Sequence, residues 1–197
     1  TEKGKSQAKT IASLLRKKIK AGEKIVICSS TAKRAKVTAD IIFNTLRQEF
    51  DCQRCEKESF PDLCEGSSGE WEGKPYDTNY EKEMKIRKQL SAKEKYIKPI
   101  LSGGESYQAV VERVLPCIQK IVDKHPGKLV FIVTHGRVMR ATSLYWRGLV
   151  PELSSEPRSV LPELKINNGD ILIVEKQIKQ PISQARVMNH LTTFPKE

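Results

Sequence analysis

The chain is predicted to fold as a three-layer α/β/α sandwich around a mostly parallel central sheet. Three observations point there. Helix-period and strand-period segments alternate along the chain. The run Leu129-Val130-Phe131-Ile132-Val133 is apolar throughout and rich in β-branched residues, as strands covered on both faces are. Ile25-Val26-Ile27-Cys28 has the same character, and both runs stop at polar residues just before an amphipathic helical pattern.

Each element has its own justification. Residues 1–21 read as a helix: Thr1 supplies a cap, Ala8, Ile11, Ala12, Leu15 and Ile19 form one apolar stripe, and Gly22 ends it. Lys24 to Ser30 reads as a short strand closed by the polar pair Ser29-Ser30. A second helix runs from Lys33 to Phe50, with Ala35, Thr38, Ala39, Ile42 and Leu46 on one face. From Asp51 to Tyr80 the periodicity breaks up, punctuated by Gly66, Gly69, Gly73 and Pro75, and a long ordered loop is expected. Tyr80 to Lys98 reads as one charged helix; its seven Lys or Arg against three Glu suit a solvated face.

Ser102 and Glu105 have capping-box spacing for the helix that follows, with Ser106 as an alternative cap. Val110, Val114, Ile118 and Ile121 form that helix's stripe. The Leu129–Val133 strand is expected to be central and to end at His135, with a helix over roughly 137–148 after it. A polar loop reaches Leu164, and Asn168-Gly169 turns into a strand at Ile171-Leu172-Ile173-Val174. His190 falls in the tail.

Composition narrows the function classes. A chain of 197 residues with 38% hydrophobic content suits a single domain, 1–197. No apolar run is long enough to cross a bilayer and no signal-peptide pattern opens the chain, so no membrane partner is expected. The net charge of +11 is spread over helix faces, aromatics are only 6%, and no nucleic-acid-binding motif is present. A solvated lysine-rich surface follows, whose field would draw in an anionic substrate. Five cysteines, odd in number and irregular in spacing, argue for a reducing compartment and hence a cytoplasmic location. Cys52-Gln53-Arg54-Cys55 is a lone CxxC without a second pair and reads as ordinary loop.

Three constellations carry chemistry. Thr134-His135-Gly136 places an imidazole at a strand's carboxyl end beside a helix N-terminus, where free N–H groups and the helix dipole favour anions. A histidine merely satisfied by hydrogen bonds is the competing reading. Ser29-Ser30-Thr31-Ala32-Lys33-Arg34 puts Arg34 in the first turn of a helix, where the dipole disfavours a cation. The placement makes sense if the guanidinium shares an anion with that helix end, as its planar fork matches phosphate oxygens; a surface arginine is the alternative. Glu65-Gly66-Ser67-Ser68-Gly69-Glu70-Trp71-Glu72-Gly73 suits a tight acidic loop, one of whose carboxyls could act as a proton donor if partly desolvated.

Taken in order, these segments resemble the histidine phosphatase superfamily, the branch of cofactor-dependent phosphoglycerate mutase and fructose-2,6-bisphosphatase. Thr1 to Ala8 is similar to the start of its first helix, and Ser29-Ser30 through Arg34-Ala35 and Thr38-Ala39 to its second motif. Glu65 with Gly69 to Gly73 resembles its acidic loop, and Gly103-Gly104-Glu105-Ser106 with Arg113-Val114 the entry to its last helix–strand unit. Thr134-His135-Gly136 and Arg140-Ala141 complete the set.

The resemblance implies a phosphoglycerate mutase-like fold and a phosphoric monoester hydrolase working through a phosphohistidine. It implies Arg34 and His135 on the phosphoryl oxygens, with Ser30 and Gly136 as further substrate contacts and Glu65 as proton donor. It implies a small phosphorylated substrate, no cofactor and no metal. The family's Arg-His-Gly strand, which carries the nucleophile, has no counterpart here. His125 lies in a His-Pro-Gly turn and His190 in the tail. With Thr1 in place of Met, a longer protein that supplies this first strand is expected, the chain as given being inactive without it. Arg137 after Gly136, a short segment between Trp71 and Gly103, and the Pro151–Leu164 and Asn167–Asp170 stretches favour the phosphatase branch over a mutase. Mutase-type phosphotransfer and a catalytically dead phospho-ligand or protein-binding module remain the alternatives. Lys85, Arg87, Lys88, Lys93 and Lys95 are candidates for a basic lid, with a solvated helix face as the plainer reading.

Overall fold

The computed structural model describes residues 1–20, 22–50, 55–75, 77–150, 164–176 and 180–191. Its core is a parallel sheet of three strands in the order β2-β1-β3, formed by Ile25–Ser30 (β1), Cys55–Phe60 (β2) and Leu129–Val133 (β3). Ile25 pairs with Cys55 on one side and with Leu129 on the other.

Period-two alternation along the strands assigns the two layers. Ile25, Ile27, Phe131 and Val133 pack against Ala12 and Leu15 of helix α1 (Glu2–Arg16) and Ala39, Ile42 and Leu46 of α2 (Lys33–Phe50). Val26, Cys28, Val130 and Ile132 face the other way, onto α5 (Tyr107–Lys124) and α6 (Gly136–Trp146) through Val110, Val114, Ile121, Val138 and Ala141. Fully burying each of the larger side chains among them, such as Ile25, Ile27, Val110 and Ile121, contributes about 1.5–3 kcal/mol. Cys28 is one of these core residues, and burial pushes its thiol up to about 12.

Several expectations are corrected. α1 stops at Arg16 rather than at Gly22: Lys18 and Ile19 donate to carbonyls three residues back, tightening the chain into a turn. The segment 51–80 is not all loop, since it contains β2 and the first residues of α3 (Thr78–Gln89). β2 was hidden because Glu56, Lys57 and Glu58 give it no apolar signature. Among the described residues it is an edge strand, aligned by its register with β1 and by ion pairs to its neighbours. The charged helix is two: Leu90 is extended, and Ser91 starts α4 (Ala92–Ile97) with a full capping box to Glu94. α5 is capped by Ser106, whose side chain accepts from the N–H of Ala109, and not by Ser102.

β3 is also not central, because β1 is. Among the described residues β3 has a strand on one side only, and all five of its apolar residues are half-buried rather than buried. The tail forms β5 (Arg186–Leu191), antiparallel to β4 (Ile171–Glu175), as a separate two-stranded sheet. Cys52 and most of the predicted polar loop, residues 151–163, lie outside the described residues. No described helix is long and apolar enough to cross a membrane.

Candidate active site

At the carboxyl end of the parallel sheet, β1 hands over to Arg34 in the first turn of α2, and β3 runs into His135. The loop after β2 returns beneath them carrying Glu65. Arg34, Glu65, His135 and Gly136 all line one cavity of about 1030 Å³, joined by Gly4 and Gln7 of α1. Residues scattered over a hundred positions of sequence thus meet at one hollow. The space beside Gly136 is open: apart from its chain neighbours and its own helix, no described atom comes within 4 Å of where a side chain would begin.

Ser30 takes a different place. It is fully buried, its hydroxyl lies 2.6 Å from His135 Nε2, and it also accepts from the N–H of Ala32 at 3.3 Å. Its hydroxyl therefore meets the imidazole and orients the ring.

His135 is the N-cap of α6, in extended backbone, at the positive end of that helix's dipole. Burial pushes its pKa below the ordinary histidine value, and the positive charge of Arg34 pushes the same way, against the opposing pull of Glu65. These surroundings therefore favour the neutral imidazole over the imidazolium.

Glu65 is held in the same helix end. Its Oε1 accepts from the backbone N–H of Arg137 at 3.1 Å and of Gly66 at 3.1 Å. Thr134 ties the loop to the end of β3 by donating to the carbonyl of Leu63 at 2.7 Å.

Two arginines that the sequence reading left without a role hold this loop. Arg137 donates to the carbonyls of Gly66 (2.6 Å) and Ser67 (2.8 Å). Arg113 makes a bidentate pair with Glu105 at 2.8 and 2.9 Å and donates to the carbonyl of Asp62 at 2.5 Å. That pairing holds the Glu105 carboxyl below the usual carboxylate range. Glu105 in turn accepts from the N–H of Ser67 at 2.8 Å. The spacing of Arg113 from Glu105 across a helix start was the available signal, but nothing in the string reveals carbonyls some fifty residues away. Glu72 is spent on the loop itself, accepting from the N–H of Ser68 at 2.7 Å.

None of the five basic residues of α3 and α4 considered for a lid lines this cavity. Arg87 is turned inward, donating to the carbonyls of Pro99 and Lys95 and lying over the ring of Tyr107.

The acidic loop also clasps the loop before α5. Glu70 donates its N–H to the carbonyl of Ser102, and Glu105 to that of Ser67, each at 3.0 Å. Gly69 has φ +58°, and a Cβ there would fall 2.2 Å from the Gly103 carbonyl carbon and 2.3 Å from the Gly104 nitrogen. Gly69→Ala is therefore expected to cost about 2–4 kcal/mol, combining left-handed strain with backbone overpacking. Gly73→Ala, at φ +72° with nothing within 4 Å, should cost only about 1–2 kcal/mol. Denaturant unfolding of both variants checks this; equal losses would mean that the clasp is loose.

Comparison with known proteins places the chain in a family. The family model for the histidine phosphatase superfamily (branch 1) matches residues 1–176. The chain is 34% identical over 143 residues to the metal-independent phosphoserine phosphatase of Arabidopsis thaliana, covering 73% of this chain and 56% of that protein. It is 33% identical over 145 residues to phosphoglycerate mutase-like protein 4 of the same plant, covering 74% and 58%. It therefore spans less than two thirds of the length of either relative. Among solved structures, Bacillus stearothermophilus YhfR superposes with a TM-score of 0.66 at 27% identity, over 95% of this chain and 82% of that one. With a family match across nearly its whole length, the chain belongs to the histidine phosphatase superfamily, branch 1.

Proposed function

We propose that this chain is the greater part of a phosphatase that hydrolyses small phosphomonoesters through a phosphohistidine. The observation that carries the reading is the convergence of Arg34, Glu65 and His135 on one cavity at the N-terminus of α6. A guanidinium and a histidine there stabilise charge as it spreads over the transferring phosphoryl oxygens. A phosphoryl dianion would draw a proton onto the neutral His135 ring, so binding and proton uptake are coupled.

The nucleophile is assigned to a strand upstream of Thr1, and the shape of the cavity supports this. The cavity runs the length of β3, from Leu129 to Val133, and reaches Ile171, Leu172 and Val174 of β4. Along this length much of its wall is apolar side chains of both helical layers, among them Leu15 and Ile118. Such a slot suits an extended apolar segment of about five residues, roughly 17 Å long, pairing with the outer edge of β3. Its carboxyl end would emerge beside His135.

Chemistry would then run in two steps. The upstream imidazole nitrogen attacks phosphorus in line, the ester P–O bond breaks, and protonated Glu65 gives its proton to the leaving alkoxide. The resulting Glu65 carboxylate next takes a proton from water as that water attacks phosphorus and the P–N bond breaks, releasing orthophosphate. Phosphoserine, named for one relative, is the first natural ester to try.

The test compares two proteins on p-nitrophenyl phosphate. The longer protein, with its upstream strand, should turn over and form an acid-labile phosphoenzyme. Residues 1–197 alone should remain at the blank rate. Turnover by 1–197 alone would overturn the upstream nucleophile. Phosphate binding without turnover by the longer protein would reduce the site to a ligand-binding module, and transfer to a second substrate hydroxyl in place of water would make it a mutase.

A further inference from the structure

The first turn of α6 carries a guanidinium, Arg137, where the helix dipole disfavours a cation. Its donors are directed at one loop. Nη1 donates to the carbonyls of Gly66 at 2.6 Å and Ser67 at 2.8 Å, and the backbone N–H donates to Glu65 Oε1 at 3.1 Å. Three successive residues, beginning with the proposed proton donor, are thus tied to a single residue of α6. The aliphatic stem closes the contact. A Cβ on Gly66 would fall 2.5 Å from Arg137 Cδ and 3.3 Å from its Cγ, so glycine lets the stem lie against the chain. Arg137 does not line the cavity, whereas Glu65 does.

We propose that Arg137 is a positioning residue that fixes the Glu65 carboxyl for proton transfer, acting through the backbone of residues 65–67. The inference rests on the phosphatase reading above and adds a residue which that reading leaves out. Gly66 gives the chain beside the acid wide torsional freedom, and the bonds from Nη1 to two consecutive carbonyls remove it. The N–H groups of Arg137 and Gly66 both fix Oε1, so Oε2 is left to carry the transferable proton. That oxygen has to lie within hydrogen-bond reach of the leaving oxygen, and a misplacement of about 1 Å can cost roughly a hundredfold in rate. Arg113 and Glu105 hold the same loop from the α5 side, at Asp62 and Ser67. Losing the Arg137 guanidinium should therefore loosen the carboxyl without releasing the loop.

The experiment follows phosphoenzyme formation in single turnovers by the longer protein proposed to carry an upstream strand, with phosphoserine and with p-nitrophenyl phosphate. Arg137→Met keeps a long stem and the backbone N–H but removes the side-chain donors. Its rate with phosphoserine should fall about ten- to a hundredfold. With p-nitrophenyl phosphate, whose leaving group needs little protonation, the rate should fall much less. Added to Glu65→Gln, the substitution should bring little further loss, because its effect passes through that carboxyl. Gly66→Ala pushes the same stem aside from the opposite partner and should reproduce the ester dependence; it decides the matter if Arg137→Met does not fold. Equal losses on the two esters, no loss, or a double variant losing the product of the two single losses would overturn the assignment, leaving Arg137 a structural clamp. A wild type forming no phosphoenzyme from either ester would instead sink the phosphatase reading, and this inference with it.

Discussion

Replacing His135 by alanine, in the longer protein proposed to carry an upstream strand, is expected to lower kcat/KM for an aryl phosphate by about a hundredfold or more. The expectation rests on position. The ring is held by Ser30 at 2.6 Å, faces the cavity beside Arg34, and stands at the start of α6. On the proposed mechanism, removing it would strip a donor from oxygens whose charge changes most in the transition state. The loss should fall on kcat rather than on KM alone, and activity unchanged by the substitution would remove His135 from the site.

The same residue predicts a pH dependence of stability. A histidine whose folded pKa is depressed binds fewer protons folded than unfolded. Stability associated with it is present above about 6.5 and is lost as pH falls through the window below that value. Phosphate, by favouring the imidazolium, should shrink that acid loss. Tm measured from pH 7.5 to 5, with and without phosphate and with His135→Ala as reference, reads the effect. A phosphate-induced steepening would contradict the assigned sign.

Glu65→Gln is the second large effect, and its size should depend on the leaving group. An alkoxide leaves poorly unless protonated, so hydrolysis of an alkyl ester such as phosphoserine should fall by about 10²–10⁴. p-Nitrophenolate needs little help, and its hydrolysis should fall much less in the first step. Glutamine keeps the size and the acceptor oxygen that the N–H groups of Arg137 and Gly66 require, so the loop should stay folded. Equal losses on the two esters would assign Glu65 to positioning instead of proton transfer.

Much of the architecture was legible because burial leaves periodic marks. α2 runs from Lys33 to Phe50 as its stripe implies, and the apolar runs at Ile25 and Leu129 form paired parallel strands. β2 was not legible. An edge strand buries little, so its composition is set by ion pairs, and Lys57 with Asp40 or Glu58 with Lys124 look in the string like any surface charges. The break at Leu90 was marked in the sequence by Ser91 and Glu94, a capping box overshadowed by the charge run around it.

What the sequence determined by itself was the layered fold and the three residues worth watching, because strand ends and helix starts are local events with local signals. What only the tertiary structure decided was how they are held. Ser30 against the imidazole, Arg137 and Arg113 on the carbonyls of the Glu65 loop, and the half-covered edge of β3 all depend on backbone atoms brought together from distant parts of the chain. A carbonyl carries no residue identity, so the partner it chooses leaves no trace in the sequence.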